Sequence, residues 1–93
     1  MAYVYTLNLK GGKKYVGMSE NVDKRIDQHF AGKGAQWTKK HAPVSVANVI
    51  EVSDRNKAIR LENKITERLM KTHGVNKVRG GAYCDSRSDA YYW

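Results

Sequence analysis

Cysteine is almost absent: Cys84 is the only one in a chain of 93 residues. A lone thiol closes no internal disulfide. That sets the chain apart from the small disulfide-stapled secreted folds and excludes a cysteine-rich zinc module. The expected setting is a reducing intracellular compartment, cytoplasmic or nuclear. Proline is as scarce, with Pro43 alone, and there is neither a linker nor a low-complexity stretch. No apolar run approaches the ~18 residues that a membrane span needs. No charged-then-apolar leader precedes the first strand-like run, so a cleaved signal peptide is not expected. Acidic residues are also in short supply: nine Asp and Glu face seventeen Lys and Arg, a formal net charge of +8. Net charge speaks to partners rather than to fold. A polyanion is the simplest partner, and nucleic acid is the commonest polyanion met inside cells. A basic surface that is merely soluble is the alternative. At this length one domain, 1–93, is the default, with a modest core and little stability to spare.

What is present is patterned. Residues 2–9 are rich in Tyr, Val, Thr and Leu and read as a strand. Lys10-Gly11-Gly12-Lys13 is a turn, and Lys14 to Ser19 reads as a second strand, so a hairpin is expected. Its register decides where the tyrosines point. A two-residue Gly11-Gly12 loop places Tyr5 and Tyr15 on opposite faces. A three-residue loop, with Gly12 in the left-handed region, pairs Leu7 with Tyr15 and puts both tyrosines on one face. Asn21 is an N-cap candidate for a helix to about Ala31, with Asp23 in its first turn. Val22, Ile26 and Phe30 form its apolar stripe, and Arg25 and His29 lie one turn apart along one flank. Gly32 and Gly34 end the helix. Lys33 to Pro43 is a basic loop or short helix, and Val44 to Val52 reads as a third strand.

Ser53 or Asp54 caps the longest helix, roughly Arg55 to Thr72, and Gly74 stops it. Ala58, Leu61, Ile65 and Leu69 give its apolar face. Glu62 falls inside that face, about 40° from Ala58 on the wheel, whereas Glu67 points to solvent. An acid on an apolar face is costly unless something pairs with it. The candidates are an ion pair with a neighbouring Arg, a place at the edge of the face, or a metal ligand. Val75 to Gly81 reads as a turn-rich segment, and Asp85 to Asp89 as the cap of a last helical turn before Tyr91-Tyr92-Trp93.

Two tyrosine-bearing strands, Tyr3-Val4-Tyr5 and Tyr15-Val16-Gly17, then Arg25, then a Glu in the helix after a third strand, form a specific combination. It resembles the GIY-YIG nuclease superfamily, and the run from Phe30 to Pro43 is similar to that of small stand-alone members. The resemblance implies an α+β fold: a three-stranded antiparallel sheet flanked by helices, in the order strand, strand, helix, strand, helix. It implies a divalent-metal-dependent endonuclease that hydrolyses phosphodiester bonds in DNA with Mg²⁺ or Mn²⁺. Tyr5 and Tyr15 match the motif tyrosines, Arg25 the arginine, Glu62 the metal ligand, and His29 a histidine found in part of the family. Asn76 matches, more loosely, an asparagine that members often carry. Two departures stand out: the first motif has no glycine, and Met18 replaces a lysine that some relatives carry after the second.

In this scheme Glu62 holds the metal and Arg25 stabilises charge on the phosphoryl group with its planar fork. Either Tyr5 or Tyr15, its pKa lowered from ~10 by nearby cations, is the candidate base, and His29 shares that role or is structural. Lys33, Lys39, Lys40 and His41 are expected on phosphates. Trp37 either joins the core or stacks on a base. RNA stays open as a substrate, as does a partner protein or homodimer that supplies specificity. The alternative is a non-catalytic basic nucleic-acid-binding module on the same fold.

Overall fold

The computed structural model describes residues 1–80; Cys84 and the expected last helical turn lie outside the described residues. The chain runs β1 (Ala2–Leu9), a 3-10 turn (Lys10–Gly12), β2 (Lys13–Ser19), α1 (Val22–Phe30), α2 (Gln36–Lys40), β3 (Pro43–Val52), α3 (Arg55–His73) and β4 (Val78–Gly80). The hairpin takes the three-residue loop. Gly11 and Gly12 both adopt positive φ, 78° and 72°, a region closed to most side chains. Leu7 therefore pairs with Tyr15, and Tyr5 with Gly17.

The α+β class holds, but the sheet is larger than expected. It has four strands in the order β3-β1-β2-β4. β1 pairs antiparallel with β2 and β3, and β4 runs parallel to β2. The segment read as turns thus supplies a fourth strand, making the sheet mixed rather than purely antiparallel. The cause is tertiary. The backbone N–H of Lys14 donates to the Lys77 carbonyl at 2.8 Å, and Val78, Arg79 and Gly80 are all buried.

Strand alternation splits the core in two. Tyr5, Leu7, Leu9 and Tyr15 face α1 and α2, packing with Trp37, Val22, Ile26 and Ala35. Ala2, Val4 and Val16 face α3, packing with Ala58, Met18, Val52, Leu61, Ile65 and Leu69. Both long helices start where the caps indicate. The Asn21 side chain accepts from the Lys24 N–H, and Asp54 accepts from the N–H groups of Asn56 and Lys57. Gly74 closes α3. β3 is an edge strand, and Val44, Val46, Val49 and Ile50 on it stay exposed.

Candidate active site

The hairpin register brings the two motif tyrosines to one face, with ring centroids 6.3 Å apart. α1 completes the cluster with His29, whose ring centre lies 5.6 Å from that of Tyr5 and 5.0 Å from that of Tyr15. The expected stripe of α1 holds at Val22 and Ile26, but His29 rather than Phe30 completes it. His29 is fully buried and Phe30 is 46 % exposed. The imidazole is held in the core because both its nitrogens find partners there. Nε2 lies 2.7 Å from the Tyr5 hydroxyl, and Nδ1 lies 2.9 Å from Thr38 Oγ1.

Those contacts fix the protons. Thr38 Oγ1 also lies 2.9 Å from the Ala35 carbonyl, which can only accept, so the threonine hydroxyl donates there and accepts from His29 Nδ1–H. Nε2 is then the bare nitrogen, and the Tyr5 hydroxyl donates to it. The order reads Tyr5 O–H to His29 Nε2, Nδ1–H to Thr38, Thr38 O–H to Ala35. Burial first, and the Arg25 charge second, lower the His29 pKa to about 4, so the ring is neutral at pH 7 as this order requires.

Two glycines make room for the cluster. A Cβ on Gly17 would overlap the end of the Tyr5 ring, and a Cβ on Gly34 would overlap the His29 imidazole. The Tyr-Val-Gly spacing therefore has a steric reason: the glycine opposite Tyr5 leaves space for that ring.

Arg25 is half-buried beside the cluster, and its Nη1 donates to Gln28 Oε1 at 3.1 Å. Tyr3 stands apart. Its hydroxyl donates to Glu51 at 3.3 Å, and that carboxylate raises the phenol pKa further. Glu62 is half-buried on α3, the helix that covers the other face of the sheet. The structure thus gathers Tyr5, Tyr15, Arg25 and His29 on the α1 side and carries Glu62 on the α3 side. Lys33, Lys39, Lys40 and Asn76 are exposed. His41 is half-buried, edge-on to Trp37 at 4.3 Å. Trp37 belongs to the core, its Nε1–H donating to the Lys14 carbonyl at 3.0 Å.

Sequence reasoning missed Thr38 and Arg79. Nothing in the local pattern marks Thr38 as the second partner of His29. Arg79 is 4 % exposed, sits 4.4 Å above the Trp37 ring and donates to the carbonyls of Val75 and Val78.

The model of the GIY-YIG catalytic domain matches residues 1–78. The chain belongs to the GIY-YIG family. Its similar proteins include a UPF0213 protein of Halalkalibacterium halodurans, 32 % identical over 82 residues and covering 87 % of each chain. A UPF0213 protein of Staphylococcus haemolyticus is 40 % identical over 63 residues, 68 % of this chain and 77 % of its own. The solution NMR structure of the UPF0213 protein from Bacillus halodurans aligns with a TM-score of 0.42 at 30 % identity, covering 80 % of this chain and 87 % of that one. Membership of the GIY-YIG family points to nuclease-type chemistry on nucleic acid, whereas the relatives' names specify no activity. No helix among the described residues is long and apolar enough to cross a membrane.

GIY-YIG nucleases generally use a divalent metal. Among the described residues no three His, Cys, Asp or Glu side chains converge, so those residues form no all-protein cage. A hard cation that keeps its waters and takes one carboxylate plus substrate phosphate oxygens fits this donor set.

Proposed function

We propose that the chain is a single-domain, divalent-metal-dependent endonuclease acting on phosphodiester bonds in DNA. The observation that carries the reading is the buried Tyr5–His29 hydrogen bond with a fixed proton order, next to Tyr15 and Arg25, in a GIY-YIG domain. Arg25 holds the scissile phosphate and stabilises the charge that builds on it. Tyr5, already donating to a bare imidazole nitrogen, passes its proton to His29 as it takes one from the attacking water. In the free protein His29 is a weak acceptor. A phosphate anion at Arg25 offsets the cation that helps to depress it, which raises its basicity in the complex. Tyr15 packs the pair in place. Glu62 would hold Mg²⁺ or Mn²⁺, which supplies Lewis acidity at the phosphoryl and leaving oxygens when bound. Lys33, Lys39, Lys40, His41 and Asn76 bind the flanking backbone.

A second reading, a binding module without catalysis, is favoured by one observation: Tyr5 and Tyr15 are only 1 % and 5 % exposed. A plasmid-nicking assay with and without Mg²⁺ separates the two. Nicking that needs the cation, is lost in Arg25→Ala and is poorly rescued by Arg25→Lys supports the enzyme. Binding of Arg25→Ala should stay within a few-fold of the parent, because the lost interaction is strongest in the transition state. Full nicking by Arg25→Ala sinks the active-site assignment, and tight binding by the parent with no nicking favours the module.

A further inference from the structure

The outer side of α3 is a surface of one sign. At ~100° per residue, Lys57, Arg60, Lys64, Arg68 and Lys71 fall within an arc of about 80°, and all five are exposed. From Lys57 to Lys71 the stripe runs about 21 Å along the helix. No carboxylate lies inside the arc. Glu67 falls just outside one margin, and Glu62 lies on the half-buried side.

Each cation sits three or four residues from the next, so each faces the next as a surface neighbour: Lys57 with Arg60, Arg60 with Lys64, Lys64 with Arg68, Arg68 with Lys71. Like charges at these spacings weaken a helix. A solvated helix face is ordinarily laced with opposite charges that support it. Glu67, three residues after Lys64 and four before Lys71, offsets part of this from the margin of the stripe, and an anion lying along the stripe relieves the rest. An open groove lined by Lys64, Glu67, Arg68, Met70, Lys71 and Val75 follows its C-terminal half.

We propose that this ridge docks the phosphate backbone of duplex DNA, as a surface separate from the Lys33–His41 loop. Phosphates of one strand rise about 3.4 Å each along the duplex axis, so roughly six of them run beside a ~21 Å stripe. The apolar side of α3 packs on the sheet face opposite the tyrosine cluster, so the ridge grips DNA away from that cluster. An anionic membrane is the weaker match: a surface helix binds lipid through an apolar face that it can insert, and that face of α3 is spent on the core. The proposal takes from the proposed function only that DNA is the ligand, and it concerns binding whether or not the chain cleaves.

The test measures affinity of the full chain for a short DNA duplex at several salt concentrations, with EDTA present. The triple variant Arg60→Gln/Lys64→Gln/Arg68→Gln should flatten the slope of log K against log salt by about 0.9 per lost contact, about 2.7 in all. It should melt no lower than the parent. The charge-matched variant Lys10→Gln/Lys13→Gln/Lys24→Gln should lose clearly less slope. An unchanged slope in the ridge variant, or an equal loss in the charge-matched one, overturns the ridge. So does a ridge variant that loses binding to anionic vesicles but not to DNA. A parent that binds no DNA overturns both the ridge and the nuclease reading, whereas binding without nicking touches only the latter. Should the ridge variant fail to fold, acetylation of the parent decides. Duplex DNA should protect Lys57, Lys64 and Lys71 more than Lys10, and equal reactivity at all four overturns the ridge.

Discussion

At His29 one side chain links stability, proton order and the site. Its folded pKa of about 4 lies below the ~6.5 of a free histidine, so between those values the unfolded chain binds more protons than the folded one. Stability from this group is therefore full above about pH 6.5 and is lost as pH falls towards 4. Unfolding free energy by urea titration should drop by about 2–3 kcal/mol from pH 7 to pH 4.5 on account of His29 alone. The difference between parent and His29→Gln isolates that share from the carboxylates. Parallel pH profiles in the two proteins would show that His29 does not titrate as described. The sequence placed His29 beside Arg25 on one flank of α1 but put Phe30 in the core stripe. Helical periodicity identifies a face only to within about one residue. The choice between His29 and Phe30 was made by Tyr5 on β1 and Thr38 on α2, partners that no local pattern reveals.

Among the elements, the hairpin was legible and β4 was not. Two adjacent glycines demand a turn but leave a two-residue and a three-residue loop open; the three-residue loop that forms sets the register that puts Tyr5 and Tyr15 together. β4 is three residues long and lies sixty-odd residues from its partner, too short for a period-2 signal. Its centre is an arginine, a residue type that ordinarily marks a surface. Arg79 is buried because Trp37 offers a ring face and the Val75 and Val78 carbonyls accept from its guanidinium. Arg79→Met keeps the bulk and removes those donors, which should cost about 1–3 kcal/mol. The loss should be local. Hydrogen exchange at the Lys14 amide, which donates to Lys77, should speed up well before exchange in the β1–β3 ladder. Unaltered protection at Lys14 would mean that β4 is held by Val78 and Gly80 without the arginine.

Across the whole molecule the proposed site would draw on both faces of the sheet, and Glu62 is where that matters. It was legible as an anomaly, an acid in an apolar face, and its half-buried position keeps both a metal ligand and a structural ion pair in play, which make opposite predictions. As a ligand, Glu62 keeps its charge for the metal, and the fold does not depend on that charge. Glu62→Gln then removes it at nearly constant shape, and the variant folds as well as the parent or better. Mg²⁺ should raise the melting temperature of the parent by mass action and leave the variant unmoved, with nicking down by orders of magnitude. As a structural pair, the same change strands a cation. That costs roughly 3–5 kcal/mol for a fully buried pair and less at a half-exposed one. At about 4–8 °C per kcal/mol for a domain of this size, even a partial loss is plain in a thermal melt. We expect the first outcome, because a chain of net charge +8 that recruits both a cation and a phosphate backbone needs an anion at the point where the cation sits. A melting temperature that falls by several degrees, with an unchanged response to Mg²⁺, would make Glu62 a structural residue and leave the nuclease reading without its metal ligand.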